Sequence, residues 1–452
     1  MPHKRLGCEA LCTVLKRRAL AALAVVFLSG LVCLPAFVDH PIARGAQPGP
    51  RLGGTVSVLG VWGGSELESF LAMVGPFEQR TGTKVEFEGT RDINAVLTTR
   101  VRGGNPPDIA GLPGPGQLAE FARAGKLIPL NRTIDLQALN RQYAREWIDL
   151  ATVGGQLYGV FIKAAVKGLI WYDPKAFHAA GYAVPRTWDE MVALSDHIAQ
   201  QGRAPWCIGL ESGAASGWPA TDWIENIMLR TAGPVVYTRW YRHEIAWTTP
   251  AVRRAWALFG KIAGTPRYVY GGIQGELAMN FGESPFGLFT DPPGCYLHHQ
   301  ASFIQDFILK QYPALQPIVD VNFFMFPPID PGVPATVEVA GDLFGMFRST
   351  PQARALIAYL ATPEAQTIWV KRGGALAPNR IVAPQDYPDP LMRQVAQILS
   401  AADRVRFDAS DLMPQVVNSA FLSATLDYVQ HPDRLDQILA KLEQVAAGVP
   451  KR

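Results

Sequence analysis

Nucleophile, metal and phosphate motifs are each incomplete in this 452-residue chain. Gly209-Leu210-Glu211-Ser212-Gly213 misses the G-x-S-x-G elbow by one position. His298 and His299 are adjacent, so they point apart and do not make the two-His face of H-E-x-x-H. Gly125-Lys126 lacks the earlier glycine and the following Ser/Thr of a phosphate loop, and Gly111, Gly114 and Gly116 are wrongly spaced for a dinucleotide fingerprint. Cys207 and Cys295 do not have zinc spacing. Other residues suit recognition better than catalysis. Trp218 and Asp222, four apart after a glycine-rich loop, share one face of a helix start as ring platform and hydroxyl acceptor. Trp62 lies just past a strand-like run, and Glu66 follows at a helix start, where its charge also suits the helix dipole. Flat rings cover the apolar face of a small guest, while carboxylates, amides, Arg and Lys bond its polar rim.

These residues need a scaffold, and the pattern supplies one. Thr55 to Trp62 is a β-branched apolar run; Leu67, Phe70, Leu71, Val74 and Phe77 then recur at helical spacing until Gly82. Val85-Glu86-Phe87-Glu88 alternates as a strand, Ile93 to Val101 reads as a helix, and Asp108-Ile109-Ala110 closes a β-α-β-α-β unit. Ligands sit off the carboxyl ends of such strands, so the loops after Val61 and Ala110 are expected site walls. Further strands are expected at 158–161 and 167–172, with Thr187 and Glu190 capping a helix. Residues 281–296, dense in Gly, Pro and aromatics, read as strand plus loop, and helices dominate after Pro351.

Composition narrows the partners. Apolar residues make up 48% and charged ones 18%, too much core for a disordered chain. Residues 1–46 hold six Lys/Arg against two acids, leaving 36 basic and 37 acidic side chains elsewhere, so the formal +3 belongs to the terminus and no nucleic-acid footprint exists. Lys16-Arg17-Arg18 before the apolar stretch Ala19 to Leu34 reads as an export signal, with an uncleaved anchor or a lipid on Cys33 as alternatives. Exported proteins meet oxidising conditions, so Cys207 and Cys295 are expected to bridge, two buried free thiols being the alternative.

Several segments together resemble the extracellular solute-binding proteins of bacterial ABC importers, family 1, the carbohydrate binders. They include Phe77-Glu78-Gln79-Arg80-Thr81-Gly82, Asn105-Pro106-Pro107-Asp108, Trp171-Tyr172-Asp173-Pro174, Pro185-Arg186-Thr187-Trp188 and Gly373-Gly374-Ala375-Leu376-Ala377-Pro378-Asn379. Trp206 to Ser212, Gly217 to Trp223 and Asp291-Pro292-Pro293-Gly294-Cys295-Tyr296 narrow the resemblance to the α-glucoside binders. It implies a two-lobed α/β fold of the periplasmic-binding-protein type II, each lobe a mainly parallel sheet flanked by helices and joined by crossover strands. The crossovers are expected near 160–166, 275–285 and 340–346. The lobes become 52–162 plus 280–343 and 163–279 plus 344–452. Trp62, Lys167, Tyr296 and Asp342 then stand where relatives contact ligand, with Glu66, Trp218, Asp222, Glu211 and His298 as further candidates. Glu211 is also explained by a bend hydrogen bond and His298 by a structural role.

The function expected is a periplasmic or extracellular receptor that closes on a neutral α-glucoside and docks on a membrane permease. It is expected to be monomeric and to need no cofactor or metal. The rivals are a secreted glycoside-acting enzyme, and the same binding fold for a polyamine or other non-sugar solute.

Overall fold

The computed structural model describes residues 51–450; the export-signal expectation lies outside them. Two larger sheets and one two-stranded ribbon, Thr152–Val153 with Gln156–Leu157, organise the described residues. Strands β1 (Thr55–Gly60), β2 (Lys84–Gly89) and β3 (Ile109–Leu112) are short because each alternates with a helix. Three more strands form between Thr152 and Val166: β4 (Thr152–Val153), β5 (Gln156–Leu157) and β6 (Gly159–Val166). Next come β7 (Leu169–Tyr172), β8 (His298–Gln300), β9 (Asn322–Met325), β10 (Val337–Met346) and β11 (Val405–Phe407).

The larger sheet runs β11-β10-β3-β1-β2, with β6 also on β10. β1 is parallel to β2 and β3, as the β-α-β-α-β pattern requires, because right-handed helical crossovers return the chain in the same direction. β10 runs antiparallel to both β3 and β6, and its register shifts between Asp342 and Leu343. The predicted Gly341-Asp342 interruption is thus an irregularity inside one continuous strand. Helix Gly64–Thr81 buries Phe70, Met73, Val74 and Phe77 against this sheet, and Gly82 ends it in the left-handed region at φ 68°.

The smaller sheet, β8-β7-β9, is antiparallel throughout, where a mainly parallel one was expected. The long helical excursion from 174 to 278 brings the chain back against β7 from the opposite end. Thr187 caps helix Trp188–Gln200 through the Glu190 N–H at 3.2 Å, and Glu190 reaches back to the Arg186 N–H at 2.6 Å. Residues 281–296 contain the 3₁₀ turn Ser284–Phe289 and no strand, because Pro285, Gly287 and two further prolines leave no run of ladder donors.

Two buried apolar cores result. One packs Val56, Trp62, Phe70, Phe344 and Trp369 around the larger sheet; the other packs Trp206, Trp223, Trp240, Trp247 and Trp256. Residues 353–395, expected in the second lobe, supply Leu356, Trp369 and Leu391 to the first core. Their amphipathic faces meet helix Gly64–Thr81, which sequence order alone does not reveal. Nor does a crossover strand form at 275–285, which holds the end of helix Gly272–Ala278 and a loop. By core membership the chain passes to the second core just after β6, returns to the first between Val269 and Leu288, and passes to the second again just after β11, with Tyr296, Leu297 and Phe326 as further members of the second core. Cys207 and Cys295 are bridged, with Cα atoms 5.5 Å apart. Among the described residues, no helix is long and apolar enough to cross a membrane.

Candidate functional site

Between the two cores lies a cavity of about 160 Å³, floored by Lys163 to Ala165 of β6 and Ala340 to Asp342 of β10. Its walls come from the loop ends of β1 and β2 (Trp62, Glu66, Arg91), from Trp218, Phe281 and Phe303, and from Asp408, Ser410 and Asp411 after β11. Two glycines make the arrangement sterically feasible. Gly168, at φ 72°, turns β6 into β7, and a Cβ there would lie 2.2 Å from Asn226 Oδ1. Gly217, at φ 101°, starts the helix that carries Trp218, and a Cβ there would lie 2.4 Å from the Leu422 carbonyl.

Lys163 is the electrostatic centre. Its ammonium bonds Glu66 and lies 3.8 Å from Asp342, its register partner across the β6–β10 ladder. It also sits 5.8, 5.2 and 5.3 Å from the ring centres of Trp62, Phe303 and Trp369. Burial pulls the Lys163 ammonium down, but Glu66 and Asp342 outweigh it and the group stays charged. Burial likewise pushes Glu66 up, and Lys163 with Arg91 (3.4 Å) more than reverse this. Asp342 has the weaker partner, so burial wins and carries it to about 6. Arg91 also lies over the Phe281 ring at 4.9 Å, linking the loop after β2 to the opposite wall.

Lys167 anchors a second, deeper set, bonding Asp222 at 2.6 Å and Asp408 at 2.5 Å. Desolvation opposes its charge, yet the surrounding carboxylates hold it well above the ordinary lysine value. The ammonium lies 5.2 Å from the Trp218 ring, which is half-buried and meets Phe281 edge-on at 5.2 Å.

Five of the nine predicted residues therefore line one cavity: Trp62, Glu66, Lys167, Trp218 and Asp342. Trp62 is only 3% exposed, so most of its ring belongs to the core. Asp222 stands behind the wall as a partner of Lys167. The structure does not bring the remaining three to the cavity. Tyr296 is buried in the second core, its hydroxyl on Arg203 and its ring 5.1 Å from Tyr182. Glu211 accepts from the Gly213 N–H and the Asn280 amide, both at 2.6 Å, and closes a bend. His298 bonds the Cys207 carbonyl at 2.8 Å, and burial pushes its imidazole down to about 4, so it stays neutral. Sequence reasoning missed Lys163, Arg91, Phe281 and the Asp408–Asp411 turn. A lysine inside the apolar run Phe161-Ile162-Lys163-Ala164 was the available signal. A wider groove of about 520 Å³ runs between Pro115–Arg123 and Trp240–Trp247, but none of the predicted residues lines it. The smaller cavity is the better candidate because the buried charges and open rings converge there.

Residues 63–284 match the family model described as bacterial extracellular solute-binding protein. The chain is 43% identical to the osmoprotective compounds-binding protein GgtB of Synechocystis over 86% of its own length and 91% of that protein's. It is 38% identical to the alpha-glucosides-binding periplasmic protein AglE of Rhizobium meliloti, covering 88% and 87% of the two chains. Its fold matches the crystal structure of the bacterial solute receptor AcbH with a TM-score of 0.76 at 18% identity, over 88% of this chain and all of that one. With similarity running almost end to end, the chain belongs to the bacterial extracellular solute-binding proteins and is the substrate-binding component of a sugar-type ABC importer, not an enzyme.

Proposed function

We propose that this receptor captures a compact, uncharged α-glucoside in the cavity floored by β6 and β10. The observation that carries the reading is charge balance beside exposed ring surface. Glu66 and Asp342 face Lys163 and Arg91, so the front of the cavity offers hydrogen-bond donors and acceptors without a net field for an ionic guest. Trp218 supplies the open ring, with Phe281 and Phe303 beside it. A volume of about 160 Å³ is below the roughly 300–1,000 Å³ of sites for drug-sized ligands, which favours a small glucoside over an oligosaccharide chain. The α-glucosides for which AglE is named support this class, and the osmoprotective compounds for which GgtB is named are the solutes to test beside them.

The two cores act as lobes, residues 351–401 moving with the first. Closure needs a guest that binds the closed state more tightly than the open one, and a guest touching both walls at Arg91 and Trp218 meets that condition. The closed form then docks on the membrane permease. A thermal-shift screen of glucosides, longer maltodextrins, polyamines and acidic sugars tests this, because a ligand selective for the native state raises the melting point. The expected result is a shift with small neutral α-glucosides alone. A shift with a polyamine and none with any neutral glucoside would overturn the assignment.

A further inference from the structure

Two oxygens of residues that line the solute cavity have no partner among the described residues: the Ser212 hydroxyl and Oδ1 of Asn94. They come from opposite walls. Asn94 stands in the first turn of helix Ile93–Arg102, whose Ile93 and Leu97 belong to the first core. Ser212 follows Leu210 of the second core and precedes the turn Gly213–Ala215 that leads to Trp218. The walls touch here: a Cβ on Gly213 would lie 3.5 Å from Arg91 Cβ, and Arg91 covers the Phe281 ring.

The backbone at Ser212 is fixed while its hydroxyl is left over. The Ser212 N–H donates to Ser216 Oγ at 2.9 Å, and the Ser216 hydroxyl donates to the Gly213 carbonyl at 2.7 Å. Glu211 braces the same bend between the Gly213 N–H and the Asn280 amide. The bend therefore holds without the Ser212 hydroxyl, although the residue is only 2% exposed. A polar oxygen shut off from water and left unbonded disfavours the arrangement that buries it. In a receptor whose walls part and meet, that penalty falls on the empty closed arrangement. A guest that brings hydroxyls to both walls lifts it.

We propose that Ser212 and Asn94 are specificity-determining residues: each bonds a hydroxyl of the guest, one from each wall, so that closure is favoured around a guest hydroxylated on two sides. The proposal rests on the neutral-glucoside reading above and adds two residues to it. Asn94 Oδ1 only accepts, so it requires an O–H of the guest; Ser212 both donates and accepts, so it takes a hydroxyl in either role. Lys163 and Arg91 only donate, and they do not tell a hydroxyl from an ether or carbonyl oxygen. Discrimination between guests of one size thus falls to the two uncharged residues.

The test is calorimetric titration of the full chain and its Ser212→Ala, Asn94→Ala and Asn94→Asp variants with methyl α-glucoside, trehalose, sucrose and maltose, and with monodeoxy forms of whichever binds most tightly. Ser212→Ala and Asn94→Ala are each expected to bind about tenfold more weakly. Their ligand-free melting points stay level or rise, because each loses an oxygen that nothing in the protein bonds. Asn94→Asp keeps the acceptor and binds within about threefold of the unmutated chain. One monodeoxy sugar loses about tenfold on the unmutated chain and nothing further on Ser212→Ala. Affinities unchanged within about twofold in both alanine variants, with the unmutated chain binding, overturn this assignment and leave the glucoside reading standing. No binding of any of these sugars to the unmutated chain overturns that reading and this assignment with it. An Asn94→Asp loss as large as the alanine one overturns the acceptor role. A Ser212→Ala melting point lower by more than about five degrees gives the hydroxyl a structural role and overturns its part, and the deoxy comparison on Asn94→Ala then decides for the other wall.

Discussion

Lys163, inside β6, and Lys167, the residue just past it, lie four residues apart, both about 5% exposed or less, yet their surroundings differ. Lys163 faces two carboxylates and three rings at the open side of a cavity. Lys167 also lines the cavity but is held by two carboxylates that are almost wholly buried, with two further acids, Asp411 and Glu338, acting on it. What separates the two is therefore the exposure of their partners: Glu66 and Asp342 keep 10% and 18% of their side chains exposed, Asp222 and Asp408 only 1% and 2%.

Removing Lys167 is the harshest way to break this contrast. Lys167→Met leaves Asp222 and Asp408 without their cation and is expected to cost roughly 3–5 kcal/mol in denaturant unfolding. Lys163→Met, whose partners retain Arg91, should cost clearly less and reduce solute affinity instead. Equal stability losses in the two variants would dissolve the distinction. Next in size is a comparison of rings. Trp62→Ala removes a core side chain and should cost about 3–5 kcal/mol, whereas Trp218→Ala, on a half-buried ring, should leave stability nearly intact and weaken binding tenfold or more by calorimetry.

The third prediction concerns pH. Because the folded Asp342 holds its proton up to about 6, against 3.8 for the ordinary carboxyl, the native state binds more protons than the unfolded one in that window. Stability from this group accordingly falls as pH rises from about 4 to 6, by at most about 3 kcal/mol. Glu66 works oppositely and at lower pH: its folded value is depressed below 4.5, so its contribution is present above that value and lost on further acidification. Asp342→Asn should reduce the fall across the 4–6 window, where Asp222, carried by burial to about 7, still contributes, and leave the acid limb. A profile identical to the unmutated chain would remove Asp342 from the balance. Smallest of all, Tyr296→Phe and His298→Gln should leave solute affinity unchanged within twofold, since neither residue lines the cavity.

Legibility followed local pattern. Trp62 and Glu66 were readable because they follow a strand and open a helix whose periodicity is unambiguous. Trp218 and Asp222 were readable as neighbours on one helix, though not as front and back of the same wall. Asp408 was not, because Val405–Phe407 is too short to alternate and its partner Lys167 is 241 residues away. Tyr296 and His298 lie away from this cavity, Tyr296 at the end of a segment with no period and His298 in β8; the disulfide and the second core, which are long-range facts, fix where that part of the chain lies. Helices at 351–401 were recognisable as helices, but which core they cover depends on tertiary packing that no single-helix pattern encodes.

The ladder between β6 and β10 has a mechanical consequence. Both strands pass beneath the cavity and are bonded to each other from Gly159 to Val166, so a continuous antiparallel ladder spans the floor. Its one slip in register falls at Asp342, a residue of the cavity floor. In the closure proposed above, a guest resting on Asp342 therefore sits on the one break in the ladder.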